Sequence, residues 1–226
     1  MPTNQVHLHD HIEQALEAAL AGRMLLTHPF YRRWEAGELS VEELGRYSSQ
    51  YRHFEATLPR LLEDLSGQLT ATGSVEAAAI VGQNLHDELG NPSPHLELFD
   101  RFVTAVGGTQ AEPTAATGTL TSTYADLVTE GAVAGLAGLA AYETQASAIA
   151  GTKAEGLRLR YQIDEAGTSF WDVHAAMEVE HGNWIIDALA SLDAQPDRVE
   201  AAARRGADAW WAFLDDRELE ASVGLA

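Results

Sequence analysis

Residues 170–184 read Phe-Trp-Asp-Val-His-Ala-Ala-Met-Glu-Val-Glu-His-Gly-Asn-Trp, and the period of this stretch decides how the rest of the chain is read. On an α-helix each residue advances by roughly 100°, so His174, Glu178 and His181 fall within a sector of roughly 60°. Glu180 lies far round the helix and Asp172 nearly opposite, so the period singles out Glu178 among its acidic neighbours. Phe170, Val173, Met177, Trp184, Ile185 and Leu189 make the segment apolar enough for burial. Two imidazoles and a carboxylate in such surroundings are costly unless they are paired or hold a metal. Their mixed donor set suits iron, manganese or zinc. The same spacing fits hydrogen-bonded core residues, so ligands from other helices must decide between the two readings.

The chain has 226 residues, 46% of them hydrophobic, which suits one domain over residues 1–226 with a full core. No run approaches about 18 uninterrupted apolar residues, and the first ten residues lack a basic and apolar signal pattern. A soluble, cytoplasmic protein is therefore expected, with no membrane partner. The formal charge of −20, from 34 acidic against 14 basic residues, opposes binding to nucleic acid or anionic membrane. The absence of cysteine excludes disulfides, thiolate metal sites and cysteine nucleophiles. All the basic residues are Arg except one, Lys153. A GC-rich genome produces such a bias, yet a lysine that survives alone in it is notable.

Outward from the central stretch, the periodicity predicts helices and no strands. A first helix covers about 7–22, and the alternating His7, His9 and His11 suit a solvated terminus. Residues 28–34, His-Pro-Phe-Tyr-Arg-Arg-Trp, read as a connection limited by proline. Ser40 with Glu43 forms a capping box for a helix whose stripe is Leu44, Tyr47, Tyr51, Phe54, Leu58, Leu61 and Leu62. A third helix spans about 74–89 and stops at Gly90-Asn91-Pro92, and another starts near Ser93. That short break lets Glu88 and His95 point into one cavity. Residues 107–118 read as a surface linker. Two helical pieces follow over about 119–149, the second Ala/Gly-rich and delivering Tyr142 and Glu143, with Lys153 near its end or in the turn beyond. A helix over about 169–192 carries the central stretch, and a last one runs from Pro196 to about Leu214. The fold class expected is all-α, a bundle of seven or eight helices.

Collected, the candidate ligands are Glu88, His95, Glu143, His174, Glu178 and His181, from four helical elements. The pattern resembles the haem-oxygenase-like di-metal oxidase family, and within it the CADD group of para-aminobenzoate synthases. The likeness begins at His28 to Trp34 and Gly37-Glu38-Leu39, continues through Tyr47 and Tyr51, and reaches Asp87-Glu88 with His95. It resumes at Tyr142-Glu143-x-Gln145, Lys153, and His174 to His181.

The resemblance implies a haem-oxygenase-like fold, two metal ions (Fe/Fe or Fe/Mn) on those six residues, dioxygen as co-substrate, and an external reductant not yet identified. Glu178 departs from the family, which usually has Asp there. The resemblance also implies that the enzyme consumes its own side chains to make para-aminobenzoate for folate. Tyr31 would donate the ring, Tyr142 would be a radical relay or alternative donor, and Lys153 would give the nitrogen. A homodimer is the usual expectation in this fold. Two alternatives stand beside this reading: a family member acting on an external fatty acid or amino acid, and a helical interaction protein with a structural metal. A TenA-type thiaminase needs a cysteine that the chain lacks.

Overall fold

The computed structural model describes residues 2–90 and 93–223, with side chains for 7–90, 93–176 and 184–220. Its α-helices are α1 (Pro2–Leu20), α2 (Pro29–Ala36), α3 (Val41–Ala71), α4 (Val75–Gly90), α5 (His95–Ala105), α6 (Ala115–Glu130), α7 (Ala132–Tyr161), α8 (Glu165–Ser191) and α9 (Pro196–Val223). A single 3-10 turn, Leu25–Thr27, precedes α2, and the described residues contain no strand.

Nine α-helices among the described residues exceed the seven or eight expected, and the surplus is α2. Proline sits at its first turn, where the missing N–H would have had no intrahelical partner anyway. His28 caps this helix by accepting the Phe30 N–H on Nδ1 at 3.1 Å, and Gly37 at φ 74° closes it. The residues expected as a connection therefore fold into a turn of structure that holds Tyr31 and Trp34 in the core. The expected linker 107–118 also ends early. Thr114 accepts the Thr117 N–H at 3.3 Å and starts α6 at Ala115.

α3 opens with the expected capping box, in which the Ser40 N–H donates to Glu43 at 2.7 Å and the Glu43 N–H to Ser40 at 3.1 Å. α7 packs most extensively on α8 and then on α9. It runs on to Tyr161, so Lys153 lies inside the helix and not at its end or in a turn. Small residues let these helices approach closely. A Cβ on Gly206 would stand 2.8 Å from the Gly138 carbonyl oxygen and 3.1 Å from the Tyr124 hydroxyl. The core that results is rich in large rings, with Trp34, Tyr47, Tyr51, Trp171, Trp210 and Phe213 almost fully buried. No described helix is long and apolar enough to cross a membrane.

Two glycine variants test this packing. Gly206→Ala should lower stability by about 1–3 kcal/mol, because backbone and not a flexible side chain stands in the way. Gly82→Ala, on α4 with nothing within 4 Å of the added carbon, should raise it by roughly 0.5–1 kcal/mol. Thermal melts of both proteins check the pair.

Candidate metal centre and its tyrosine–lysine neighbour

The break between α4 and α5 turns Glu88 and His95 toward each other, with His95 Nδ1 2.9 Å from Glu88 Oε1 and both residues buried. α8 brings His174 alongside, its ring centroid 4.5 Å from that of His95. One ligand atom from each of these three residues lies within 4.8 Å of the others. His174 Nδ1 meets the Phe170 carbonyl at 2.8 Å, which makes that nitrogen the donor and leaves Nε2 for a ligand role.

His95 Nε2 is buried and has no hydrogen-bond partner. An orphaned polar atom in a core needs an explanation, and an ion between two imidazoles and a carboxylate provides one. Burial disfavours the charged form of His95. The hydrogen bond to Glu88, with the charges of Glu88, Asp87 and Glu143, outweighs burial and raises its pKa above the ordinary value. Glu143 on α7 is half-buried and within electrostatic reach of this group. The side chains of Glu178 and His181 lie outside the described residues. The donors present fit a first-row transition metal.

Tyr142 precedes Glu143, and Lys153 lies eleven residues further along α7, about 20° round the helix from Tyr142 and about three turns away. Lys153 is 2% exposed. Its Nζ donates to the Tyr31 hydroxyl at 2.9 Å and to the Tyr47 hydroxyl at 2.6 Å. Rings enclose it: Nζ stands 4.1 Å from the Trp171 ring centroid, 4.3 Å from that of Tyr31 and 5.1 Å from that of Tyr47. Burial drives the amine pKa well below the usual lysine value, opposed only by the charge of Glu55. Burial likewise pushes the Tyr31, Tyr47 and Tyr51 hydroxyls up, so all three are held as neutral phenols.

Tyrosines connect this pocket to the helix of Glu143. The Tyr142 and Tyr51 hydroxyls are 2.7 Å apart, the Tyr51 and Tyr47 ring centroids 5.6 Å, and the Tyr47 and Tyr31 hydroxyls 2.8 Å. Gln145, a half-turn beyond Glu143, ties the 3-10 turn before α2 to α7 by accepting the Leu25 N–H at 2.8 Å.

A family model for iron-containing redox enzymes matches residues 45–212. The chain belongs to this family. The 4-aminobenzoate synthase of Nitrosomonas europaea is 32% identical over 219 residues, which covers 90% of this chain and 89% of that protein. A CADD-like protein of unknown function from Nostoc punctiforme superposes with a TM-score of 0.76 at 19% identity, covering 94% of this chain and 97% of its own. A domain of haem oxygenase-like fold from Shewanella denitrificans gives 0.74 at 14% identity over 98% and 94%. The fold is haem-oxygenase-like, and the protein is an oxidoreductase of the iron-containing class.

Periodicity passed over two residues of this redox enzyme's interior. Tyr47 belongs to the apolar stripe of α3, yet its hydroxyl makes the shorter of the two contacts to Lys153. Glu55, not one of that stripe's apolar residues, is 4% exposed on the same helix. The signal for both was the four-residue spacing Tyr47, Tyr51, Glu55, which puts them on one stripe of the helix.

The buried amine makes a sign-definite prediction. Because its pKa is depressed in the folded protein, the unfolded chain binds the proton more tightly, and stability rises with pH up to the ordinary lysine value of about 10.4. Lys153→Met leaves the Tyr31–Tyr47 hydrogen bond in place. It should stabilise the fold by about 1–3 kcal/mol at neutral pH. It should also flatten the rise in stability toward alkaline pH, as measured by denaturant unfolding at several pH values.

Proposed function

We propose that this chain is a dioxygen-dependent oxidase that makes para-aminobenzoate from its own Tyr31 and Lys153. The observation that carries the reading is the contact between the Lys153 amine and the Tyr31 phenol oxygen at 2.9 Å. The name of the Nitrosomonas europaea relative, a 4-aminobenzoate synthase, supports it.

The product itself dictates what the protein must arrange. Para-aminobenzoate keeps the tyrosine ring and Cβ, which becomes the carboxyl carbon, so the Cα–Cβ bond breaks. Nitrogen replaces oxygen at the far end of the ring. The amine must therefore lie against the phenol end, and Lys153 does so for Tyr31 and for Tyr47. Its approach to the ring face is nearer for Tyr31, 4.3 Å from the centroid against 5.1 Å, which favours Tyr31 as the ring donor. Burial keeps the amine neutral, so its lone pair is available for bond formation. The surrounding Trp171 and Tyr47 exclude water that would compete for the oxidised ring.

Two metal ions, Fe/Fe or Fe/Mn, held by Glu88, His95, Glu143, His174, Glu178 and His181, would supply dioxygen activation, with an external reductant returning electrons. Tyr142, Tyr51 and Tyr47 then offer a hydroxyl-to-hydroxyl and ring-to-ring route between that centre and Tyr31. Each can give up a proton to its neighbour as an electron leaves.

Intact mass spectrometry of protein reconstituted with iron and manganese, reductant and dioxygen tests the proposal, with para-aminobenzoate assayed in the same tube. Product should appear with mass loss at Tyr31 and modification at Lys153. Lys153→Arg and Tyr31→Phe should each abolish product while metal content stays at the wild-type level. Mass loss at Tyr47 would move the ring donor to that residue. Full product yield from Lys153→Arg, or unchanged mass beside product, would overturn self-donation.

A further inference from the structure

Glu55 has no part in the reaction described so far. We infer that Glu55 supplies a further carboxylate to the metal centre, beyond the six residues already assigned to it. The inference rests on the reading of this site as a metal centre and is independent of which compound the enzyme makes.

The placement follows from α3. Glu55 stands one turn after Tyr51, whose hydroxyl is 2.7 Å from that of Tyr142 on α7, next to Glu143. α3 therefore faces the Glu143 segment at this level. The same helix packs closely along α4, which carries Glu88. Glu55 is 4% exposed, and a carboxylate is rarely buried so deeply without a partner. Its charged neighbours are Glu88 and Glu143, which repel it, and the more weakly acting Lys153, while Tyr51 is its hydrogen-bonding side chain. Burial and the two carboxylates push its pKa well above the ordinary range.

Carboxylates brought near one another away from water either take up a proton or gather around positive charge. Lys153 does not provide it, since its amine is committed to the two phenols and driven toward the neutral form. The buried Nε2 of His95, which has no hydrogen-bond partner, independently points to a cation in the same region. An additional anionic oxygen would offset more of the charge of two divalent ions and would favour hard, oxygen-preferring metals such as iron and manganese.

Cobalt(II), whose visible ligand-field absorption reports coordination directly, is the probe. Anaerobic titration of the apoprotein should give two cobalt ions per chain. Glu55→Gln, which keeps shape and removes charge, should weaken one site by about tenfold or more and shift its absorption. A Glu55→Gln protein with wild-type affinity and spectrum overturns the inference. If circular dichroism shows Glu55→Gln to be unfolded, Glu55→Asp is read in its place: a shifted spectrum supports the inference, and a wild-type spectrum overturns it. Wild-type protein that takes up no cobalt would instead sink the metal-centre reading beneath the inference.

Discussion

An amine is expensive to keep out of water, and the interior of this bundle is arranged around the one that it holds. Lys153 cannot reach solvent from within α7, and no carboxylate among the described residues hydrogen-bonds it. The fold solves the problem with two phenol oxygens and a wall of aromatic faces. Those rings come from α2, α3 and α8, so the same contacts that accommodate the lysine also fix how these helices meet α7. The short helix α2 exists to serve this arrangement: its proline start, histidine cap and glycine end deliver Tyr31 and Trp34 against the lysine.

The second buried polar group is the Glu88–His95–His174 set, brought together by α4, α5 and α8. A line of tyrosines runs from Tyr31 through Tyr47 and Tyr51 to Tyr142, and burial holds the first three protonated. A phenol in a dry core loses an electron only as its proton moves to a neighbour, and the 2.7 Å and 2.8 Å hydroxyl contacts provide such neighbours. Under the proposed function, redox chemistry at the metal centre would reach Tyr31 along this line without opening the core to water.

Much of this was legible in the sequence, and the parts that were not have physical reasons. The long helices announce themselves by apolar stripes and caps, as at Ser40–Glu43. α2 did not, because proline reads as a breaker unless its position at a first turn is recognised. The start of α6 was hidden by threonine, alanine and glycine, whose composition suits a loop until Thr114 is seen to cap. The meeting of Glu88 with His95 follows from a short interhelical break, which local spacing can reveal. The pairing of Lys153 with Tyr31 is a contact across more than a hundred residues, and only resemblance to a family pointed there. Glu55 was lost inside a stripe read as core, since a buried carboxylate and a buried leucine occupy the same helical positions.

The depth of Tyr31 has a consequence for the lifetime of the molecule. Its ring is 2% exposed and packs against Phe30 and Tyr47. A chain that surrendered this ring would be left with a void at the heart of its core, and voids of that size cost about 3–5 kcal/mol. Against a typical total stability of about 5–15 kcal/mol, such a loss brings a protein close to unfolding. The spent molecule would thus carry its own disposal label, read by any protease that samples transiently opened chains.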